Sequence, residues 1–316
     1  MCRIKVHLIL ILVTLGSLFS SAQARVYSYD GKSRMVGNLE YAIVDENCNN
    51  IHDLARQYNV GYDALMSANP HLTEDSDLKP GLMVYIPNKV ILPKTIKPNT
   101  VLVNIAEKRL FFYDDHSHQL FVYPVGVGRV DHPSPLGKMS ITLKRYKPTW
   151  HVPKGVLAEA RENGYTDHPT IMRPGPDNPL GQHAIHLSAQ TYLIHSTNNP
   201  DLIGTRNTSG CINLYPEHIA ELYGKVQVKT PVEIVNSPLK TVRRDGVLYV
   251  ERYTPLLSYS DDVERFDAVA DLRSDVRGIY LNHSEYDSKH LPEAKVDKLA
   301  QIMQNPVSYP VAIVDL

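Results

Sequence analysis

The residues best suited to covalent chemistry are Cys211 and, sixteen positions earlier, His195. A thiolate is a strong nucleophile, and imidazole is the side chain best matched to taking its proton near neutral pH. Gly210 puts no side chain in the path of a carbonyl approaching the sulfur, and the backbone amides of Gly210 and Cys211 are placed to hold an oxyanion. Downstream, Pro216 suits a first helical position, and Ile219, Leu222, Tyr223 and Val226 form a buried stripe. A helix N-terminus after the cysteine, together with an imidazolium, favours the thiolate. On spacing alone, the pair reads equally well as a buried structural cysteine with an unrelated surface histidine. His183 and His186 raise a metal site, but three positions apart on a strand they point to opposite faces. No Cys or carboxylate cluster joins them, so cleft lining or a surface position is the expectation, with no metal and no cofactor.

Tyr192-Leu193-Ile194 is a strand, which sets His195 at its end, where loops display functional groups. The surrounding chain is β-rich. Val101 to Ile105 and Arg109 to Tyr113 read as a hairpin, Gln119 to Val127 as a further strand, and Val232 to Val235 as another. Helix signal is scarce between 98 and 237. Trp150 to Gly181 is dense in proline and glycine and reads as a long lid or binding loop. Residues 98–237 are thus expected to form a mostly antiparallel β domain with a large flap.

Before it, residues 36–88 read as a small α+β module. Leu39 to Val44 alternates as a strand. Ile51, Leu54, Ala55 and Tyr58 follow helical spacing behind an Asn49 or Asn50 cap. Tyr62, Leu65 and Met66 start a second helix, and Leu82 to Pro87 closes with a strand. Pro93 to Pro98 is a linker. From 238 to 316 the chain reads as a C-terminal α/β packing subdomain. It holds helices over Asp262 to Ala270 and from Pro292 (Val296, Leu299, Ala300, Met303), then a last strand, Val311 to Val314.

The N-terminus has Arg3 and Lys5, an apolar stretch from Val6 to Leu15, and the small-x-small site Ala22-Gln23-Ala24. Residues 1–24 therefore read as a secretory signal peptide cut after Ala24. The apolar stretch is shorter than the roughly 20 residues of a membrane span, and Arg25 stands where lipoprotein processing needs a cysteine. Of the three cysteines, Cys2 leaves with the signal, so Cys48 and Cys211 remain, with a partly buried unpaired thiol the simplest reading of Cys48. The chain has 316 residues, 43% hydrophobic and 21% charged, which is globular composition. Lys plus Arg is 33 against 34 for Asp plus Glu, which leaves no electrostatic case for nucleic acid. No later segment is apolar enough for stable membrane insertion.

The stretch Ile194-His195-Ser196-Thr197 … Arg206-Asn207-Thr208-Ser209-Gly210-Cys211-Ile212-Asn213 resembles the signature of the L,D-transpeptidase (YkuD) catalytic domain. Pro124-Val125-Gly126-Val127-Gly128, Pro148-Thr149-Trp150 and Gly175-Pro176-Asp177-Asn178 resemble further parts of it. Residues 36–88 resemble a LysM domain, although Asp45 to Asn50 lacks the usual Gly-Asp-Thr-Leu stretch. The resemblance implies a YkuD-like β-sandwich with a lid, in a periplasmic enzyme of Gram-negative type. It implies that Cys211 attacks the carbonyl between meso-diaminopimelate and D-alanine of a peptidoglycan tetrapeptide stem, forming a thioester. The acceptor is then an amine of a second stem or a lysine of a wall-anchored protein. His195 is the base, the Ser196 carbonyl orients it, and Arg206 meets a substrate carboxylate. Thr197, Ser209, Asn213, His183 and His186 fall on the substrate side, with Ser209 standing where relatives commonly have histidine. The LysM resemblance implies glycan strands as a further partner. The alternatives are an L,D-carboxypeptidase or other hydrolase with water as acceptor, and a non-catalytic peptidoglycan-binding protein.

Overall fold

The computed structural model describes residues 24–46, 50–73, 78–189, 191–254 and 293–313. The expected signal segment before Ala24, Cys48, the alternative cap Asn49 and the helix expected over Asp262 to Ala270 lie outside the described residues.

The chain enters on β1 (Arg25–Ser28) and β2 (Met35–Val36). The small module follows as β3 (Glu40–Ile43), α1 (Ile51–Gln57), α2 (Tyr62–Ala68) and β4 (Met83–Ile86), the order its periodicity predicts. Asn50 caps α1 by accepting from the Asp53 N–H, which satisfies one of the orphan amides of the first turn. Ile51, Leu54 and Ala55 of α1 pack with Leu65 of α2, and β3 and β4 (antiparallel) add Ala42, Val84 and Ile86 to the same apolar cluster. β5 (Val90–Ile91) pairs back with β2 before the chain enters the larger domain.

That domain is mainly β. Its strands are β6 (Val101–Asn104), β7 (Arg109–Asp114), β8 (Gln119–Pro124), β9 (Val127–Gly128), β10 (Gly137–Tyr146), β11 (Trp150–His151), β12 (Ile171–Met172), β13 (His183–Leu187), β14 (Leu193–His195), β15 (Arg206–Thr208), β16 (Ile212–Asn213) and β17 (Pro231–Val235). Nine strands join in the order β1-β8-β7-β6-β17-β10-β13-β14-β16. Pairing is antiparallel except at β6–β17 and β14–β16. Ile185, Ile194 and Ile212 from adjacent strands bury against Ile219 and Leu222 of α4 (Pro216–Lys225), which supplies the helical stripe seen in the sequence.

The long insert departs from a pure loop: it contains α3 (Lys154–Glu162) between β11 and β12. None of the α3 side chains is buried, so no apolar stripe announces the helix in the sequence. C-terminally, β18 (Leu239–Arg244) and β19 (Val247–Arg252) form a hairpin, and β20 (Val311–Ile313) adds to β19. The helix Glu293–Gln304 covers them, with Leu299 and Ile302 packed on Leu248, Val250 and Ile313. No described helix is long and apolar enough to cross a membrane.

Candidate active site

β14 and β16 run parallel, with Ile194 opposite Ile212 and His195 opposite Asn213. Opposed residues on paired strands point to the same face, and successive residues alternate. Ile194 and Ile212 point into the core, so His195, Asn213 and, two positions before it, Cys211 share the outer face. The parallel register therefore brings the two chemically capable residues together as diagonal neighbours.

His195 is buried, and its Nδ1 lies 2.5 Å from the carbonyl oxygen of Ser196. A carbonyl only accepts, so Nδ1 carries the proton and Nε2 is the basic nitrogen. The Pro179 carbonyl also hydrogen-bonds to the imidazole. Asn178 holds the loop around it, donating from its side-chain amide to Pro148 O at 2.9 Å and accepting from Leu180 N at 3.0 Å. Burial pulls the imidazole pKa down to about 4, opposed by the Ser196 and Pro179 carbonyls.

Cys211 is half-buried, and burial pushes its thiol up to about 11, with the Leu193 backbone N–H pulling the other way. At neutral pH the pair is a thiol beside a neutral imidazole. This differs from the thiolate expected at a helix N-terminus, because β16 intervenes and α4 begins only at Pro216. A helix dipole acts within about its first turn.

Thr208 organises the turn before the cysteine, a role the motif did not reveal. Its Oγ1 donates to Cys211 O at 2.6 Å and accepts from Gly210 N at 3.2 Å. The Gly210 amide is therefore engaged, against the expectation that it holds an oxyanion, while the Cys211 amide lies outside the β14–β16 ladder, which starts at Ile212. Gly210 has φ of +99°, and a Cβ there would sit 2.6 Å from Tyr192 Cε1, so the position needs glycine.

The remaining expected residues separate. Arg206 donates from Nε to Gly128 O at 3.0 Å, joining β15 to β9. Thr197 directs its hydroxyl into its own turn, with Asn199 N donating to Thr197 Oγ1 at 2.9 Å. Asn213 exchanges backbone hydrogen bonds with Gly126 and donates from Nδ2 to Asn207 Oδ1 at 3.2 Å. Ser209 is exposed on the turn before Gly210. His183 and His186 fall on opposite faces of β13. The His183 ring centroid lies 5.2 Å from that of Tyr146 and 5.0 Å from that of Tyr223 of α4, both in tilted contact, on the face away from the thiol. The expectation that both line a cleft is corrected for His183, since the strand's two-residue period sends it to the packed side. His186 stays on the outer face, opposite Leu193.

Residues 98–234 match the model of the YkuD family, described as the L,D-transpeptidase catalytic domain, and residues 50–87 match that of the LysM domain. Over 235 residues the chain is 34% identical to Probable L,D-transpeptidase YcfS of Escherichia coli (strain K12), an alignment covering 73% of this chain and 72% of that protein. It is 35% identical over 243 residues to Probable L,D-transpeptidase YbiS of the same strain, covering 75% and 78%. With Probable L,D-transpeptidase ErfK/SrfK of that strain it shares 33% over 256 residues, covering 78% and 80%.

Proposed function

The chain belongs to the L,D-transpeptidase family, and from that membership we propose that it is an exported cysteine acyltransferase acting on peptidoglycan stem peptides in the periplasm. The observation that supports this reading most is the placement of His195 on one sheet face with Cys211, its Nδ1 held by the Ser196 carbonyl.

In the proposed reaction, Cys211 Sγ attacks the carbonyl between meso-diaminopimelate and the terminal D-alanine. The thiol proton passes to His195 Nε2 as the S–C bond forms, and the Ser196 and Pro179 carbonyls stabilise the imidazolium that results. The Cys211 amide faces the developing oxyanion. His195 returns the proton to the nitrogen of D-alanine as the C–N bond breaks, leaving a thioester. An acceptor amine, from a second stem or from a lysine of a wall-anchored protein, then attacks the thioester. It loses a proton to His195, and the thiol is released. The LysM domain fits a glycan strand of the same polymer.

Incubation with a disaccharide-tetrapeptide muropeptide tests the reading. The wild type is expected to release D-alanine and to show an intact-mass adduct with a carbapenem. Cys211→Ala is expected to do neither, and His195→Ala to slow release by about 10²–10⁴-fold. D-alanine release that survives Cys211→Ala sinks the proposal.

A further inference from the structure

Two rows of side chains cross the outer face of the sheet toward the reacting pair. One is Arg145, Ala184 and His195, directly opposed across β10, β13 and β14; the other is Leu143, His186 and Leu193, whose N–H meets the Cys211 thiol. The alternate residues point inward: Ile185 and Ile194 join the core, and Lys144 lies 4.3 Å from the Tyr223 ring centroid. The first row is closed midway, since Ala184 is fully buried and His195 nearly so. The second stays open: Leu143 is 39% exposed, and His186, Leu193 and Cys211 are half-buried. It forms a shallow trough that ends at the sulfur.

Arg145 is exposed on the rim of this trough, two residues along β10 from Leu143. Arg56 and Arg129 each have a carboxylate within 3.4 Å. Arg145 is paired with none among the described residues. The titratable group it acts on is His186, whose pKa burial lowers and the guanidinium lowers further, so that imidazole is neutral at pH 7. An unpaired, forked cation beside a neutral hydrogen-bonding ring and two leucines is suited to an anionic peptide.

We propose that the Leu143–His186–Leu193 trough is a subsite for the acyl-donor peptide and that Arg145 binds a free carboxylate of that peptide. Three strand spacings across the sheet and two residues along it, together roughly 16 Å, separate the Arg145 and Cys211 backbones. That is the span of about five residues of extended chain. The recognised carboxylate therefore lies within about five residues of the acylated carbonyl. Arg145 is a specificity-determining residue here, and its assignment to the donor rests on the stem-peptide reading above.

Binding of a tetrapeptide stem to the Cys211→Ala protein, with and without Arg145→Ala, is measured beside steady-state D-alanine release by Arg145→Ala, Arg145→Lys and Arg145→Glu in the active protein. The stem is used both native and with its carboxylates capped singly as amides. Arg145→Ala is expected to raise Kd and KM roughly 5- to 20-fold, with kcat within about twofold. Arg145→Lys recovers part of the loss and Arg145→Glu deepens it. One of the capped stems costs the wild type the same factor and the Arg145→Ala variant nothing more. An active wild type whose KM and Kd are indifferent to Arg145, or a loss equal for native and every capped stem, overturns the subsite. A wild type that releases no D-alanine, yet binds the stem through Arg145, overturns the reaction and leaves the subsite standing.

Discussion

With the Cys211 thiol near 11 and the His195 imidazole near 4, a small neutral alkylating agent meets very little thiolate at pH 7. Cys211 modification by iodoacetamide should therefore climb about tenfold per pH unit from neutrality and level off only near 11. A resting thiolate–imidazolium pair would give a plateau across the neutral range instead, and finding that plateau refutes the neutral pair. Folding stability carries the same signs. Neutral His195 contributes stability that is present above its ordinary value of 6.5 and is lost as pH falls toward 4. Protonated Cys211 contributes stability that is present below 9 and is lost as pH rises toward 11. At this scale the sequence carried Cys211, His195 and Ser196, the residues proposed to react, because they sit inside one motif. It could not carry the Leu193 amide or the Pro179 carbonyl, because a backbone group acts by position and leaves no residue type to read. Thr208 stands inside the motif, but the partners of its hydroxyl are set by the turn and not by its residue type.

Among the elements, periodic signals survived and aperiodic ones did not. The β6–β7 hairpin is buried on both faces, α1, α2 and α4 each bury one, and all were readable. α3 buries nothing and is held from outside by an ion pair of 2.7 Å between Glu159 and Arg129. Pairing partners were equally silent: nothing in Ile194 or Ile212 says that their strands lie parallel and adjacent. The segment between those strands shows what such pairing depends on. Residues 201–204 lean on the small module, with Tyr62 N donating to Ile203 O at 3.2 Å and His52 Nδ1 lying 2.9 Å from Asp201 O. Gly204, at φ of +91°, touches Gly61 so closely that a Cβ would lie 2.3 Å from Gly61 Cα and Tyr62 N. Two residues later β15 begins, and it ends at Thr208, which holds the Cys211 turn. Gly204→Val should thus destabilise by about 2–5 kcal/mol, from overpacking plus backbone strain, and should lower kcat with it. Gly155→Ala, in open space on α3, is the control and should leave both unchanged. Equal melting temperatures for the two variants would show that the module does not brace this loop.

At the scale of the molecule, three segments meet in one buried charge cluster. Glu107 and Arg109 come from the β6–β7 hairpin, and Lys240, Glu251 and Tyr253 from the C-terminal sheet. The connection leaving the small module contributes backbone: Arg109 donates to Pro87 O at 2.9 Å, Lys240 to Ile91 O at 2.6 Å, and Ile91 N donates to Glu251 at 2.6 Å. Two cations face two carboxylates, so the cluster is neutral as a whole, and each member depends on the others to offset its desolvation. A packing role for the C-terminal region was readable from its apolar spacing, whereas the charges that join it to the hairpin lie more than 130 positions apart and give no local signal. Glu251→Ala leaves Arg109 and Lys240 sharing the single buried carboxylate of Glu107 and frees Ile91 N. The expected cost is about 3–5 kcal/mol, or a melting temperature lower by roughly 6–20 °C. Because the cluster ties all three segments together, calorimetry should show the catalytic and C-terminal parts of the wild type melting in one transition. A Glu251→Ala protein that melts within about 2 °C of the wild type, or a wild type whose C-terminal sheet unfolds separately, would mean that the cluster decorates an interface held by apolar packing alone.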